Sequence, residues 1–129
     1  MKLFVETSAI AAIILQEEGW EALAEKIRDN AGCFTSSVAM FEATLALRQQ
    51  RELPASAAYS IVRDFLATCR MEIVPVPPEV IDHAVEAAER YGAGRYRLNL
   101  GDCISYAAAK HHHAPMLYVG KDFAQTDLA

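Results

Sequence analysis

The order in which strand-like and helix-like patterns follow one another constrains the fold of this chain more than any other feature. Residues 2–5, 33–35, 72–76 and 115–119 carry short runs of strand character. Between them, apolar residues recur at helical spacing. Thr7 and Ser8 are natural N-caps for an apolar run over residues 9–15. Trp20, Leu23, Ala24 and Ile27 fall at i, i+3, i+4 and i+7, and Ser36 or Ser37 can cap a helix over residues 38–50. Pro54 suits a first helical turn, and the stripe that follows it is Ala58, Ile61, Val62, Phe65, Leu66 and Cys69. Ile81, Ala84, Val85 and Ala88 mark another helix, residues 91–99 read as a loop, and residues 101–112 as a further helix. This alternation predicts an α/β fold with a mostly parallel sheet covered on both faces. With no repeat, low-complexity stretch or linker, residues 1–129 read as one domain.

A chain of 129 residues buries enough surface for a real hydrophobic core without covalent staples. Its cysteines, Cys33, Cys69 and Cys103, form no CxxC and are odd in number, so the expectation is reduced, mostly buried thiols and a cytoplasmic location. The strand-like run follows Met1 directly, which predicts no signal peptide. The longest apolar stretch, residues 9–15, falls well short of the roughly 20 residues that span a bilayer. The net charge of −5 argues against a broadly basic nucleic-acid footprint. It leaves room for a nuclease whose acidic site binds cations that then meet phosphate.

Ligands of open α/β sheets bind outside the carboxyl ends of the strands. Glu6 ends the first strand, and Asp122 follows the last, after Gly120 and Lys121. Parallel strands would bring both to one edge. Val38, Phe41, Glu42 and Leu45 share a helical stripe, which places Glu42 on the face expected to meet the sheet, where an ionised carboxylate needs a partner. Arg48 is poorly placed by helical spacing to supply one, so a metal ion or a distant cation is expected. Asp102 opens a helix, where an acid also suits the helix dipole, and by itself it supports either reading. Converging carboxylates repel one another unless a cation compensates, and all-oxygen ligands select hard ions such as Mg²⁺ or Mn²⁺. An aspartic-protease-like dyad is the other chemistry of clustered acids, but it does not need four.

The chain resembles PIN-domain proteins, and among them the VapC toxins of bacterial VapBC toxin–antitoxin modules. The resemblance rests on Phe4-Val5-Glu6-Thr7-Ser8-Ala9, on Glu42, on Leu98-Asn99-Leu100-Gly101-Asp102-Cys103 with Tyr106-Ala107, and on Gly120-Lys121-Asp122-Phe123 with Thr126-Asp127. It covers essentially the whole chain, and residues 91–127 are its most specific part. It implies a three-layer α/β/α PIN-like domain and a Mg²⁺- or Mn²⁺-dependent endoribonuclease whose four acids fall on Glu6, Glu42, Asp102 and Asp122. It also implies a homodimer neutralised by a cognate VapB antitoxin. Thr7 or Ser8 would support the site as a hydroxyl near the metal, with Asn99 and Thr126 around it. The chain departs from the family at its first acid, normally aspartate and here Glu6. The extra methylene moves the carboxylate by more than a bond length, and displacements of about 1 Å matter to such sites.

Arg95, Arg97, Lys110 and Lys121 flank the acidic segments and are candidates to grip RNA, although solvated surface charge explains them equally well. Tyr91, Tyr96 and Tyr106 are expected to pack rather than stack on bases. His111-His112-His113 cannot share one helical face and reads as an exposed helix end. The Trp20 stripe reads as core or as a groove for an antitoxin helix. Two rivals remain at this point. One is a PIN-fold antitoxin-binding module whose catalysis Glu6 has impaired. The other is a receiver-like signalling domain, which would want an acceptor aspartate where the strand over residues 72–76 ends in Pro77-Pro78.

Overall fold

A computed structural model describes residues 2–129; Met1, where the expected domain begins, lies outside them. The elements run β1 (Lys2–Val5), α1 (Thr7–Ile14), α2 (Trp20–Arg28), β2 (Gly32–Ser36), α3 (Ser37–Arg51), α4 (Ala55–Thr68), β3 (Glu72–Val74), α5 (Pro78–Tyr91), α6 (Leu100–His111) and β4 (Met116–Leu117). The strands form one parallel sheet in the order β3-β2-β1-β4. The chain moves outward from β1 through β2 to β3, then crosses back so that β4 pairs with β1. The strand order therefore reverses between β1 and β4, the position at which open α/β sheets bind ligands.

The pleat divides the core in two. Phe4, Phe34 and Met116 point to the face covered by α5 and α6, where they meet Val80, Ala87 and Tyr106. Val5, Cys33 and Leu117 point to the other face, against Ile10 and Ile13 of α1, Leu47 of α3 and Val62 and Leu66 of α4. Alternate residues of each strand serve opposite faces, as the two-residue period requires. The expected α/β/α layering is thus present.

Several local expectations are corrected. The cap of α1 is neither Thr7 nor Ser8 but Glu6, whose carboxylate accepts the Ser8 amide at 3.0 Å. The stripe of α3 that meets the core is Ala39, Ala43 and Leu47, whereas Phe41 and Leu45 are exposed. The alanines let α3 approach closely, and the helix turns Phe41 and Leu45 outward while Leu47 stays in the core. In α5, likewise, Val80, Ala84 and Ala87 are buried while Ile81 and Val85 are exposed. Cys33 and Cys103 are buried as expected and Cys69 partly so. No helix among the described residues is long and apolar enough to cross a membrane.

Candidate active site

Three carboxylates reach the β1/β4 edge from three different local devices. Glu6 leaves β1 as its last backbone bond is made, its amide donating to Leu117 O at 3.0 Å. Its side chain turns back to cap α1 and accepts from both the amide and the hydroxyl of Ser8. The Ser8 hydroxyl accepts in turn from the Val119 amide at 2.8 Å, so one serine joins Glu6 to the segment beyond β4 that carries Asp122. Glu42 lies on α3, whose start is fixed by Ser36 capping the Ala39 amide at 3.0 Å. Its Oε1 accepts from the Thr7 hydroxyl at 3.1 Å. Asp102 sits in the first turn of α6 in a reciprocal cap: Asn99 Oδ1 accepts from the Asp102 amide at 2.8 Å, and Asp102 Oδ2 accepts from the Asn99 amide at 3.1 Å. Asn99 is thus the helix cap that orients Asp102, and the first-turn reading of Asp102 is what these bonds show.

Gly101 brings the second and third acids together. A Cβ built on it would stand 1.8 Å from Glu42 Oε2. The Glu42 carboxylate therefore rests directly on the backbone of α6, one residue from Asp102. Gly101→Ala is expected to leave the stability of the fold within about 1 kcal/mol, since alanine favours a helix and the obstructing atoms end a flexible side chain. It must displace the Glu42 carboxylate by more than 1 Å, and for the ribonuclease that the sequence resemblance implies, a loss in catalysis of about 100-fold is the expected result. Thermal melts beside initial rates of RNA cleavage check this. An alanine variant that is folded and fully active would show that the position of Glu42 is immaterial.

The electrostatics express the same crowding. Glu6 is only 4% exposed. Burial lifts its carboxyl to about 7, the Ser8 hydrogen bonds oppose that rise, and the charges of Asp102 and Glu42 add to it. Burial also raises Glu42, with Asp102 contributing, and raises Asp102, with Asp122 contributing. Among the described residues, no lysine, arginine or histidine forms an ion pair with any of the four acids. The structure thus makes neighbours of Glu6, Glu42 and Asp102, and the charge of Asp122 acts on Asp102. As they stand, however, no three His, Cys, Asp or Glu side chains among the described residues are grouped to hold one ion. Glu6, Glu42 and Asp102 are each turned onto a hydrogen-bond partner of their own.

The flanking residues divide. Lys110 is not a free cation, because it pairs with Asp127 at 2.7 Å. Tyr91 and Tyr106 also turn their hydroxyls to Asp127. Thr126 is buried, donating to Phe123 O at 2.7 Å and accepting from the Leu128 amide, and it touches none of the four acids in these bonds. Thr7 and Ser8 do contact site carboxylates. Arg95 and Lys121 both stand over the Tyr96 ring, at 5.2 and 6.0 Å. His112 is partly buried against Phe34, with ring centroids 4.9 Å apart, so the histidine run is not wholly an exposed end. Sequence reasoning gave no role to Gly101. Its only signal was a glycine inside the first turn of a helix, where alanine would ordinarily be better.

The PIN domain family model matches residues 3–128. A VapC ribonuclease of Rhizobium meliloti is 35% identical over 139 aligned positions, covering 97% of this chain and 98% of its own. The crystal structure of Mycobacterium tuberculosis VapC20, a sarcin-ricin loop cleaving toxin, superposes with a TM-score of 0.74 at 17% identity, over 95% of this chain and 92% of its own. That of VapBC2 from Rickettsia felis, bound to a DNA fragment from their promoter, superposes at 0.73 and 17% identity, over 99% and 95%. The chain belongs to the PIN-domain family, in its VapC ribonuclease branch.

Proposed function

We propose that this protein is the toxin of a VapBC-type toxin–antitoxin module, acting as a Mg²⁺- or Mn²⁺-dependent endoribonuclease with Glu6, Glu42, Asp102 and Asp122 as its metal-binding and catalytic residues. The observation that carries the reading is the set of neighbouring carboxylates Glu6, Glu42 and Asp102 at the β1/β4 switch point, raised in pKa by burial and by neighbouring acids and paired with no cation among the described residues. Their chemistry fits a hard divalent ion: every donor is a carboxylate oxygen. When bound, such an ion activates water and offsets charge on the phosphodiester.

The protein's own residues do the rest. Ser8 and Thr7 hold the Glu6 and Glu42 carboxylates by hydrogen bonds, and Asn99 holds Asp102. Glu6 supplies the longer side chain where the family has aspartate, and its Ser8 cap folds that length back toward α1 rather than projecting it outward. Arg95, Lys121 and Tyr96, with Arg97 nearby in the same loop, offer charge and a ring face to an RNA strand beside Asp122. The domain is residues 1–129, and the location cytoplasmic.

A cognate VapB antitoxin is the partner; Trp20, Leu23 and Ala24 of α2 pack half-buried against the core, and the part of them left uncovered is the apolar edge its helix would meet. A second copy of the chain is the other partner. Leu100 is 82% exposed and Val85 57%, and with Ile81 they line one groove of about 490 Å³ along α5 and α6. Such a patch wants cover in water. Light scattering that finds a monomer at micromolar concentration would remove the dimer from this reading.

The test of the reaction is incubation of total RNA with the purified chain and Mn²⁺. Internal cuts, mapped by end sequencing, are expected. Shortening only from RNA ends would contradict an endoribonuclease.

A further inference from the structure

One charged cluster lies outside the four acids and takes no part in the chemistry above. Asp127 gathers three donors. Its Oδ2 accepts from Lys110 Nζ at 2.7 Å, and its Oδ1 accepts from Tyr106 OH at 2.9 Å and Tyr91 OH at 3.4 Å. Its backbone amide donates to Tyr91 OH at 3.3 Å. Tyr106 is fully buried and stacks edge-on against Tyr91, with ring centroids 5.8 Å apart. Three donors on one carboxylate make a strong, geometrically fixed anchor. The anchor ties the chain's last residues to the end of α5 and to two successive turns of α6.

The reason for such an anchor lies five residues back. β4 ends at Leu117, and among the described residues no helix or strand follows it. Asp122 therefore stands on a segment that no ladder or helix fixes. Turns and side chains hold this segment: the Ala124 amide donates to Lys121 O and the Thr126 amide to Phe123 O, Phe123 is buried against Tyr118, the Thr126 hydroxyl ties back to Phe123 O, and Gln125 Nε2 donates to Asp122 O and to Tyr96 O. Asp127 closes the set from the far end. Its partners Tyr106 and Lys110 lie on α6, the helix whose first turn carries Asp102. One helix thus holds Asp102 directly and Asp122 through Asp127.

We propose that Asp127 is a positioning residue for Asp122, setting the spacing between Asp102 and Asp122 through its anchor on Tyr91, Tyr106 and Lys110. The inference rests on the metal-site reading above and deepens it. Supporting groups of this kind change metal affinity by about 10- to 100-fold when removed.

The experiment measures Mn²⁺ binding by titration calorimetry on the full chain and on Asp127→Ala, Asp122→Asn and the double variant, with deuterium uptake recorded on the metal-free proteins. Asp127→Ala is expected to weaken Mn²⁺ binding about 10-fold or more and to raise uptake over residues 120–126 with little change in β1 and α3. The double variant is expected to bind no more weakly than Asp122→Asn, because Asp127 acts only through Asp122. Lys110→Met, which removes the shortest of the three bonds, should give the same pattern in milder form, and it carries the test if Asp127→Ala does not fold. Losses that multiply in the double variant would overturn the proposal, as would a folded Asp127→Ala or Lys110→Met with unchanged Mn²⁺ affinity. If the unaltered chain bound no Mn²⁺, the metal-site reading itself would fall and this inference with it. Binding that ignores Asp127 and Lys110 would sink the inference alone.

Discussion

Asp102→Asn is expected to abolish RNA cleavage, with a loss in kcat/KM of at least about 100-fold, while leaving the fold intact. The substitution separates the observed cap from the proposed catalytic role of the same side chain. Asparagine keeps an oxygen that can accept from the Asn99 amide, and the backbone bond from residue 102 to Asn99 Oδ1 is untouched, so the cap of α6 survives. What is lost is the negative charge. That charge is unfavourable in the metal-free protein, because burial and Asp122 both raise the Asp102 carboxyl. Removing it should therefore leave thermal stability equal or higher while activity disappears. Melting curves and initial rates on one preparation check both halves. A variant that cleaves RNA within about threefold of the parent would remove Asp102 from the chemistry.

Glu6→Gln is expected to stabilise the metal-free protein at high pH, by at most about 3 kcal/mol. The folded Glu6 carboxyl sits at about 7 against an ordinary 4.5. A raised acid binds its proton more tightly when folded than when unfolded. Its contribution therefore favours the fold below pH 4.5, is lost progressively as pH climbs toward 7, and is a constant penalty beyond. Glu42 and Asp102 are raised too and push the same way. Urea denaturation in EDTA should show the parent less stable near pH 8 than near pH 5, and Glu6→Gln should flatten that slope. Added Mn²⁺ should stabilise the parent most at the higher pH, where its ligands are ionised. A Glu6→Gln variant with the parent's pH slope would show that Glu6 is not the strained acid.

The outline of the site was legible wherever it depended on strand ends. The rule that ligands gather at the carboxyl edge points to Glu6 and Asp122, and the strands that precede them, β1 and β4, are parallel neighbours in the sheet. The spacing that singles out Glu42 also turns Phe41 and Leu45 inward, whereas the core takes Ala39, Ala43 and Leu47. Hydrophobic periodicity weighs large side chains, but close approach of helices is decided by small ones. Gly101 is the same lesson at its limit, since its value lies in what it leaves out. Lys110 was visible as a cation but not as an ion pair, because Asp127 lies 17 residues away and meets it only in the tertiary fold. The reciprocal cap at Asn99 and the turn of Glu6 onto Ser8 were likewise beyond a pattern, because each depends on where a carboxylate points.

Whether these acids work through a divalent ion is the central claim, and chelation of the purified toxin tests it most directly. Cleavage of total RNA by the antitoxin-free chain should be present with Mn²⁺ or Mg²⁺, disappear when EDTA is in excess, and return when the ion is restored in excess of the chelator. Cleavage that continues unchanged in EDTA would contradict the account.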